Sequence, residues 1–350
     1  HSAASAARTF LSRHTTMMQF TPAARTRVAR FVVAAATFIA IGLTIVTGGP
    51  NTRLYGQGAG LGPSLGREPT SVRYPPNEYY FAVQVYQSGE LDRAFDAFDI
   101  ALSRTRRDIN GRWIDAIPVY AMMAECQYQL GDLEGAMQSL DTVIDIAVRY
   151  RGWLRRPVWA EVLQASFNVS QKQYLWPEAN AVNRLPITKQ IKFYSGEQLT
   201  DARIPLGGQI EELNIKMLAV VEVMRGLAIA SYRRRIILGP LASEGDTLAT
   251  QLLDSTKYPA ELQLAIGKNL IASMRAAERF GARQDERAVK DANAAARSVN
   301  GVHPILPITG LCAASAMAGT ETPQAAVPIC LAVANQAASM DQFEWVGEAL

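Results

Sequence analysis

Hydrophobic and polar positions along this chain repeat one helical hairpin twice between Tyr79 and Ile144. With Gly89 set over Gly131, Tyr86-Gln87 falls on Tyr128-Gln129 and Glu90-Leu91-Asp92 on Asp132-Leu133-Glu134. Ala94 then falls on Ala136, Phe98 on Leu140 and Asp99 on Asp141, with Ala82 and Ala124 equally far before each glycine. Glycine ends a helix by entering the left-handed region without steric cost, and small residues let two helices approach closely. In the first copy Phe81, Ala82 and Val85 are expected to face Ala94, Phe98, Ala101 and Leu102. In the second, Met123 and Ala124 are expected to face Ala136, Leu140, Val143 and Ile144. Each set recurs at the three- and four-residue spacing of one helix face.

The pattern continues more loosely after that. Val158 to Ser170 reads as another amphipathic helix, and residues 176–208 as an irregular insert broken by Pro177, Pro186, Pro205 and Gly207-Gly208. Inside the insert, Ile187, Lys189, Ile191 and Phe193 alternate as a short strand would. Gln209 to Leu238 carries the longest helical stripe, through Ile210, Leu213, Met217, Val220, Met224 and Leu227. Arg233-Arg234-Arg235 are expected to close that helix, where cations complement its C-terminal dipole, and Pro240 to stop it. Further hairpins are predicted across 241–266, 267–300 and Leu306 to Ala338, the last helped by a Thr322-Pro323 helix start. The chain stops within an amphipathic run, Phe343-Glu344-Trp345-Val346, so residues 209–350 read as helical repeats cut short at their C-terminal end.

The glycine and alanine pattern of residues 79–144 resembles the tetratricopeptide repeat (TPR) family, whose unit is a helix-turn-helix of about 34 residues. Gly89 and Gly131 stand further apart than one such unit, and the stretch from Arg104 to Trp113 must absorb the excess. Glu78 takes a place the family usually fills with a large apolar side chain, and Gln127 one it usually fills with an aromatic. The resemblance, carried by residues 79–144 and extended by periodicity, implies an all-α fold, a TPR-like α-solenoid of antiparallel helix pairs at 79–175 and 209–350; an N-terminal membrane or signal segment, read from its own residues, precedes it. It also implies that the first helix of each repeat lines an inner face where partners dock. On those helices the residues not needed for the hairpin core include Tyr79, Val83, Tyr86 and Gln87 in the first copy and Met122, Glu125, Tyr128 and Gln129 in the second. A tyrosine ring with a polar tip beside a glutamine amide suits an extended or helical peptide, so these eight residues are the candidate partner-binding set.

Composition narrows the chemistry. Hydrophobic residues make up 49% and charged ones 19% of the 350 residues, a folding composition. The net charge of +3 arises from the N-terminal end, where Arg8, Arg13, Arg25, Arg27 and Arg30 precede the first acidic residue, Glu68. The remainder is nearly balanced, which argues against nucleic acid as a partner. Residues 1–30 form a basic leader, and 31–47 are uncharged and largely apolar, either a transmembrane helix or a signal-peptide core. The one-sided basic flank places residues 51 onward outside the cytoplasmic membrane. Residues 48–78 read as a disordered linker. Its Gly56, Gly58, Gly60 and Gly62 do not complete a dinucleotide fingerprint.

Three cysteines and three histidines leave no metal-ligand pattern, and His303, before Pro304, reads as an exposed loop residue. Cys312 and Cys330 would lie on opposing helices of one hairpin, with free thiols favoured over a disulfide. Arg149 to Arg156, with Trp153 between, reads as a helix end covering the core. No catalytic residue, cofactor or metal site is assigned. The expected function is a non-catalytic scaffold that binds a protein or peptide, held at the membrane through 31–47 or secreted after cleavage. The alternative is a helical accessory or sensor region of a larger enzyme or signalling protein.

Overall fold

A computed structural model describes residues 73–108, 110–163, 170–172, 182–185, 187–195, 214–259, 265–298, 301–319 and 323–350. The chain divides into two units, His1–Leu65 and Gly66–Leu350, and the described residues belong to the second. The leader, the apolar run at 31–47 and the expected linker up to residue 72 lie outside them, as does Thr322 of the expected helix start. The end of that linker is a correction, since Arg73–Tyr74 form a strand and a helix starts at Asn77. Among the described residues no helix is long and apolar enough to cross a membrane.

The described part is mostly helical, in line with the all-α expectation, and carries twelve α-helices. Helix α1 (Asn77–Gln87) pairs with α2 (Leu91–Arg104), and α3 (Ile117–Leu130) with α4 (Leu133–Arg149). After the short α5 (Trp159–Leu163) come α6 (Val220–Ala242) and α7 (Thr247–Ser255), then α8 (Ala265–Gly281) with α9 (Asp285–Ser298). Helices α10 (Leu306–Ala318), α11 (Val327–Ser339) and α12 (Phe343–Ala349) complete the series. Each second helix also packs on the first helix of the next pair: α2 on α3, α4 on α6, α9 on α10 and α11 on α12. The first helices touch in sequence too, α3 on α6, α6 on α8 and α8 on α10.

The twin hairpin forms as its pattern requires. Ala82, Ala94, Phe98, Ala101, Ala124, Ala136, Leu140, Val143 and Ile144 are all buried. Gly131 ends α3 at φ +85, where the Asp132 N–H bonds the Gln127 carbonyl at 2.8 Å and Asp132 caps α4 by accepting from the Gly135 N–H at 2.9 Å. Phe81 is a correction. It is 62% exposed, because Tyr79, Ala82 and Tyr86 set the buried face of α1 and position 81 points away from it. The excess length between the two copies is taken up by a small β-hairpin, β2 (Arg107–Asp108) with β3 (Gly111–Arg112), and by a 3-10 turn at Ile114–Ala116.

A three-stranded sheet, ordered β1 (Arg73–Tyr74), β7 (Asn214–Leu218), β6 (Ile191–Ser195), is added to the helices. A separate pair joins β4 (Ser170–Lys172) to β5 (Val182–Arg184). In β6, Ile191 and Phe193 are buried and Lys192 and Tyr194 exposed, so the second half of the predicted alternation falls on a strand, while Ile187 and Lys189 precede it. Strand β7 corrects the predicted helix over Asn214–Leu218: Met217 lies in a strand hydrogen-bonded on both edges, and the helix begins only at Val220. Gln209 and the stripe residues Ile210 and Leu213 lie outside the described residues. At the other end Gly239, at φ 69, breaks the helical backbone just before Pro240. Trp153 and Trp159 are buried, the latter donating to the Leu154 carbonyl at 2.8 Å, so this basic stretch does cover core. Cys126, Cys312 and Cys330 are free thiols.

Candidate functional site

Helix α6 is the structural centre. Of the residues from Val220 to Arg233 all but Glu222 are buried, and that face-independent burial shows that neighbours surround the helix. Onto it converge the sequence-predicted residues of α1 and α3. Tyr79 is fully buried; its hydroxyl donates to Glu222 Oε2 at 2.9 Å and accepts from Arg225 Nη2 at 3.0 Å. Arg225 also contacts the Met122 sulfur at 3.6 Å and donates to Glu222 through Nε at 3.0 Å. Tyr86 is 5% exposed and its hydroxyl accepts from Gln129 Nε2. Gln87 donates to the Asp341 carbonyl at 3.2 Å, tying α1 to the turn before α12.

Glu125 and Tyr128 face a different group. Arg233, 2% exposed, donates to Glu125 through Nε at 2.7 Å and Nη2 at 3.1 Å, and to Glu348 of α12 through Nη1 at 2.8 Å. Its guanidinium carbon lies 4.2 Å from the ring centre of Tyr128, 4.8 Å from that of Trp345 and 5.5 Å from that of Tyr232. Burial opposes the charge, but the Glu125 and Glu348 carboxylates more than offset it and keep the guanidinium ionised. The next two arginines reach elsewhere: Arg234 to Asp141 and Asp246, Arg235 to Asp285. Arg233-Arg234-Arg235 do stand near the end of this helix, whose backbone breaks at Gly239, but each is committed to partners on other elements. They fan out, about 100° apart on the helix, to α3 and α12, to α4 and the cap of α7, and to α9.

Between α1, α6 and the segment from Met340 to Glu344 the inner side chains leave a cleft of ≈ 160 Å³. Tyr79, Val83, Tyr86, Gln87 and Met122 of the predicted set line it, together with Tyr80, Glu222, Arg225, Pro304, Met340, Gln342 and Glu344. A second hollow of ≈ 260 Å³ opens on the other side of Tyr86 and Gln87, where Gln129, Phe343 and Glu344 meet. Six of the eight candidates thus border two adjoining hollows, and the other two enclose Arg233. Reading the sequence missed Glu222, Arg225, Glu344 and Glu348; a signal was present in the arginines set within a long apolar helix. Glu344 sits in both hollows, and burial pushes its carboxyl up to about 7 in spite of Arg225.

Other buried polar groups serve the framework. His303 is a correction: it is fully buried, its Nδ1 accepting from the Ile305 N–H at 3.3 Å and its Nε2 meeting Asn269 Oδ1, with Ser273 Oγ at 3.2 Å. Burial lowers its pKa to about 3, so the ring is neutral. Ser273 is sealed from solvent as well, and the pair forms no accessible site. Glu278 is buried and accepts from the Tyr258 hydroxyl at 3.0 Å, and burial raises its pKa to about 8. A carboxyl titrating near 4.3 when unfolded then binds more protons in the folded state. Its contribution is full below about pH 4.3 and is lost as pH rises through about 8. Stability of wild type is expected to fall between about pH 5 and 8 more steeply than that of Glu278→Gln. Urea midpoints at several pH values check this, and parallel curves would contradict it.

No protein-family model, no curated protein and no solved structure matches this chain.

Proposed function

We propose that the chain is a non-catalytic interaction scaffold, a TPR-like helical-repeat solenoid that holds a peptide or helix of another protein against its inner face. What carries this reading is the cleft between α1, α6 and the Met340–Glu344 segment, where inner-face tyrosines, Val83, Gln87 and Arg225 meet in one concave site. Tyrosine and arginine are the side chains that most often anchor a partner, and the amide of Gln87 lies at the rim. The arrangement of helix pairs, each second helix packing on the next first helix, supports the solenoid. The basic leader and apolar run 31–47 support display outside the cytoplasmic membrane.

The test is a random peptide library panned on the full chain. Val83 lines the cleft but is only half-buried, so Val83→Trp fills the hollow with less cost to the core than any change at Tyr79 or Tyr86. Peptides that bind wild type and lose at least about tenfold in affinity for Val83→Trp, roughly 1.4 kcal/mol, are the expected result. Ligands that ignore the substitution, or none at all, would overturn the reading. Display is tested separately: residues 17–78 fused to a reporter should carry it to or across the membrane, and a reporter wholly in the cytosol would contradict that.

A further inference from the structure

The cleft has more acceptors than donors. Arg225 is matched by Glu222, and the same guanidinium takes Tyr79 and Met122. Glu344 is bonded by its own backbone amide, and no other described residue donates to its carboxylate. Gln342 is 7% exposed and held in place from both sides. Asp341 before it adopts a left-handed turn at φ 59, and the Gln342 N–H bonds the Ala337 carbonyl at 3.0 Å. Its side-chain Nε2 donates to the Pro304 carbonyl at 3.2 Å, which fixes the amide's orientation, and Oε1 is left buried with no hydrogen-bond partner among the described residues. Native structures rarely leave a buried acceptor unpaired, because the lost solvation is not recovered. The wall therefore carries two carboxylates against one guanidinium, plus an unpaired amide oxygen.

We infer that this cleft is the anchor site for a primary ammonium on an unbranched aliphatic stem, the group that a lysine side chain of a docked peptide presents. An ammonium has three donors and no acceptor, which suits Glu344 and Gln342 Oε1 together. An anion would meet the same two acceptors and be repelled. Tyr80, Val83 and Met340 supply apolar wall for the stem. The volume, ≈ 160 Å³, is close to the ~150 Å³ that holds a benzene molecule, which is room for a four-carbon stem and its ammonium. The titratable groups facing Glu344 come from its neighbouring helices: Tyr86 on α1, which burial keeps neutral, Glu125 on α3, and the charged Arg225 and Arg233 on α6. An incoming ammonium favours the ionised carboxylate, so binding should strengthen as pH rises through about 7.

The identification rests on the inner face being a peptide site, and the experiment separates the two claims. The full chain is titrated with N-acetyl-lysine amide and, as controls, N-acetyl-norleucine amide and N-acetyl-glutamate amide, followed by NMR and calorimetry. Expected are saturable binding of the lysine compound alone, a loss of at least about tenfold for Glu344→Gln, and tighter binding at pH 8 than at pH 6. Thermal melts confirm that Glu344→Gln is folded, and Gln342→Leu, which removes the unpaired oxygen, should weaken binding in the same direction. Absence of saturable binding, equal binding of norleucine, or an unaffected Glu344→Gln overturns the lysine assignment. Panned peptides that need Val83 but contain no required lysine would also overturn it, leaving the scaffold reading intact. Lysine binding with no peptide ligand at the cleft would support the ammonium site and count against the scaffold.

Discussion

Glu125→Ala is expected to lower folding stability by about 3–5 kcal/mol, because breaking one side of a buried ion pair strands the other charge. Glu125 is completely buried on α3 and Arg233 2% exposed on α6, with two hydrogen bonds joining them. Arg233 keeps Glu348 and three aromatic faces after the substitution, which places the loss nearer the lower figure. Replacing both charges, Glu125→Leu with Arg233→Met, should recover part of it, since removing a buried pair outright spares the desolvation of both ions. Denaturant midpoints for the two singles and the double give the coupling directly. A Glu125→Ala cost below about 1 kcal/mol would mean that this pair is not buried as described.

Trp345→Ala should be comparably severe, about 3–5 kcal/mol. Trp345 is fully buried, meets the Tyr232 ring edge-on at 6.1 Å and lies beside Arg233. It is the residue that seats the seven-residue helix α12 against the middle of the molecule, and a helix that short has little stability of its own. Its indole N–H has no hydrogen-bond partner among the described residues, so Trp345→Phe removes a buried unpaired donor along with some volume. The phenylalanine variant should therefore cost far less than the alanine one. Both are read from urea unfolding. If both variants cost the same, the packing of this ring contributes little. The consequence for the site is direct, because the segment from Met340 to Glu344 forms one wall of the cleft.

Local features of this fold were legible before its tertiary ones. The glycines at 89 and 131 both take positive φ, and Ala94 and Ala136 are both fully buried; these are short-range demands that spacing expresses. The side shared by Tyr79, Met122 and Glu125, all buried, was legible for the same reason, since helix periodicity groups such residues on one side of a helix. It does not say what covers that side. Helix α6 covers it, and its part was hidden because a helix surrounded by neighbours shows no polar face; the stripe through Met217 further disguised where it begins. The basic triplet does stand near the helix end at Gly239-Pro240, but the targets of Arg233, Arg234 and Arg235 are set by helices far away in sequence and could not be read from it. His303 looked exposed because it precedes Pro304; its burial depends on Asn269, Ser273 and Ile305 closing around it.

Hydrogen–deuterium exchange of the full chain, with and without a peptide selected on it, tests most directly whether recognition occurs at the meeting of α1, α6 and α12. Protection gained in residues 79–87 and 340–346, and lost again in Glu344→Gln, is the predicted result. Protection confined to α2, α4, α9 and α11, with no change in α1 or the approach to α12, would contradict it.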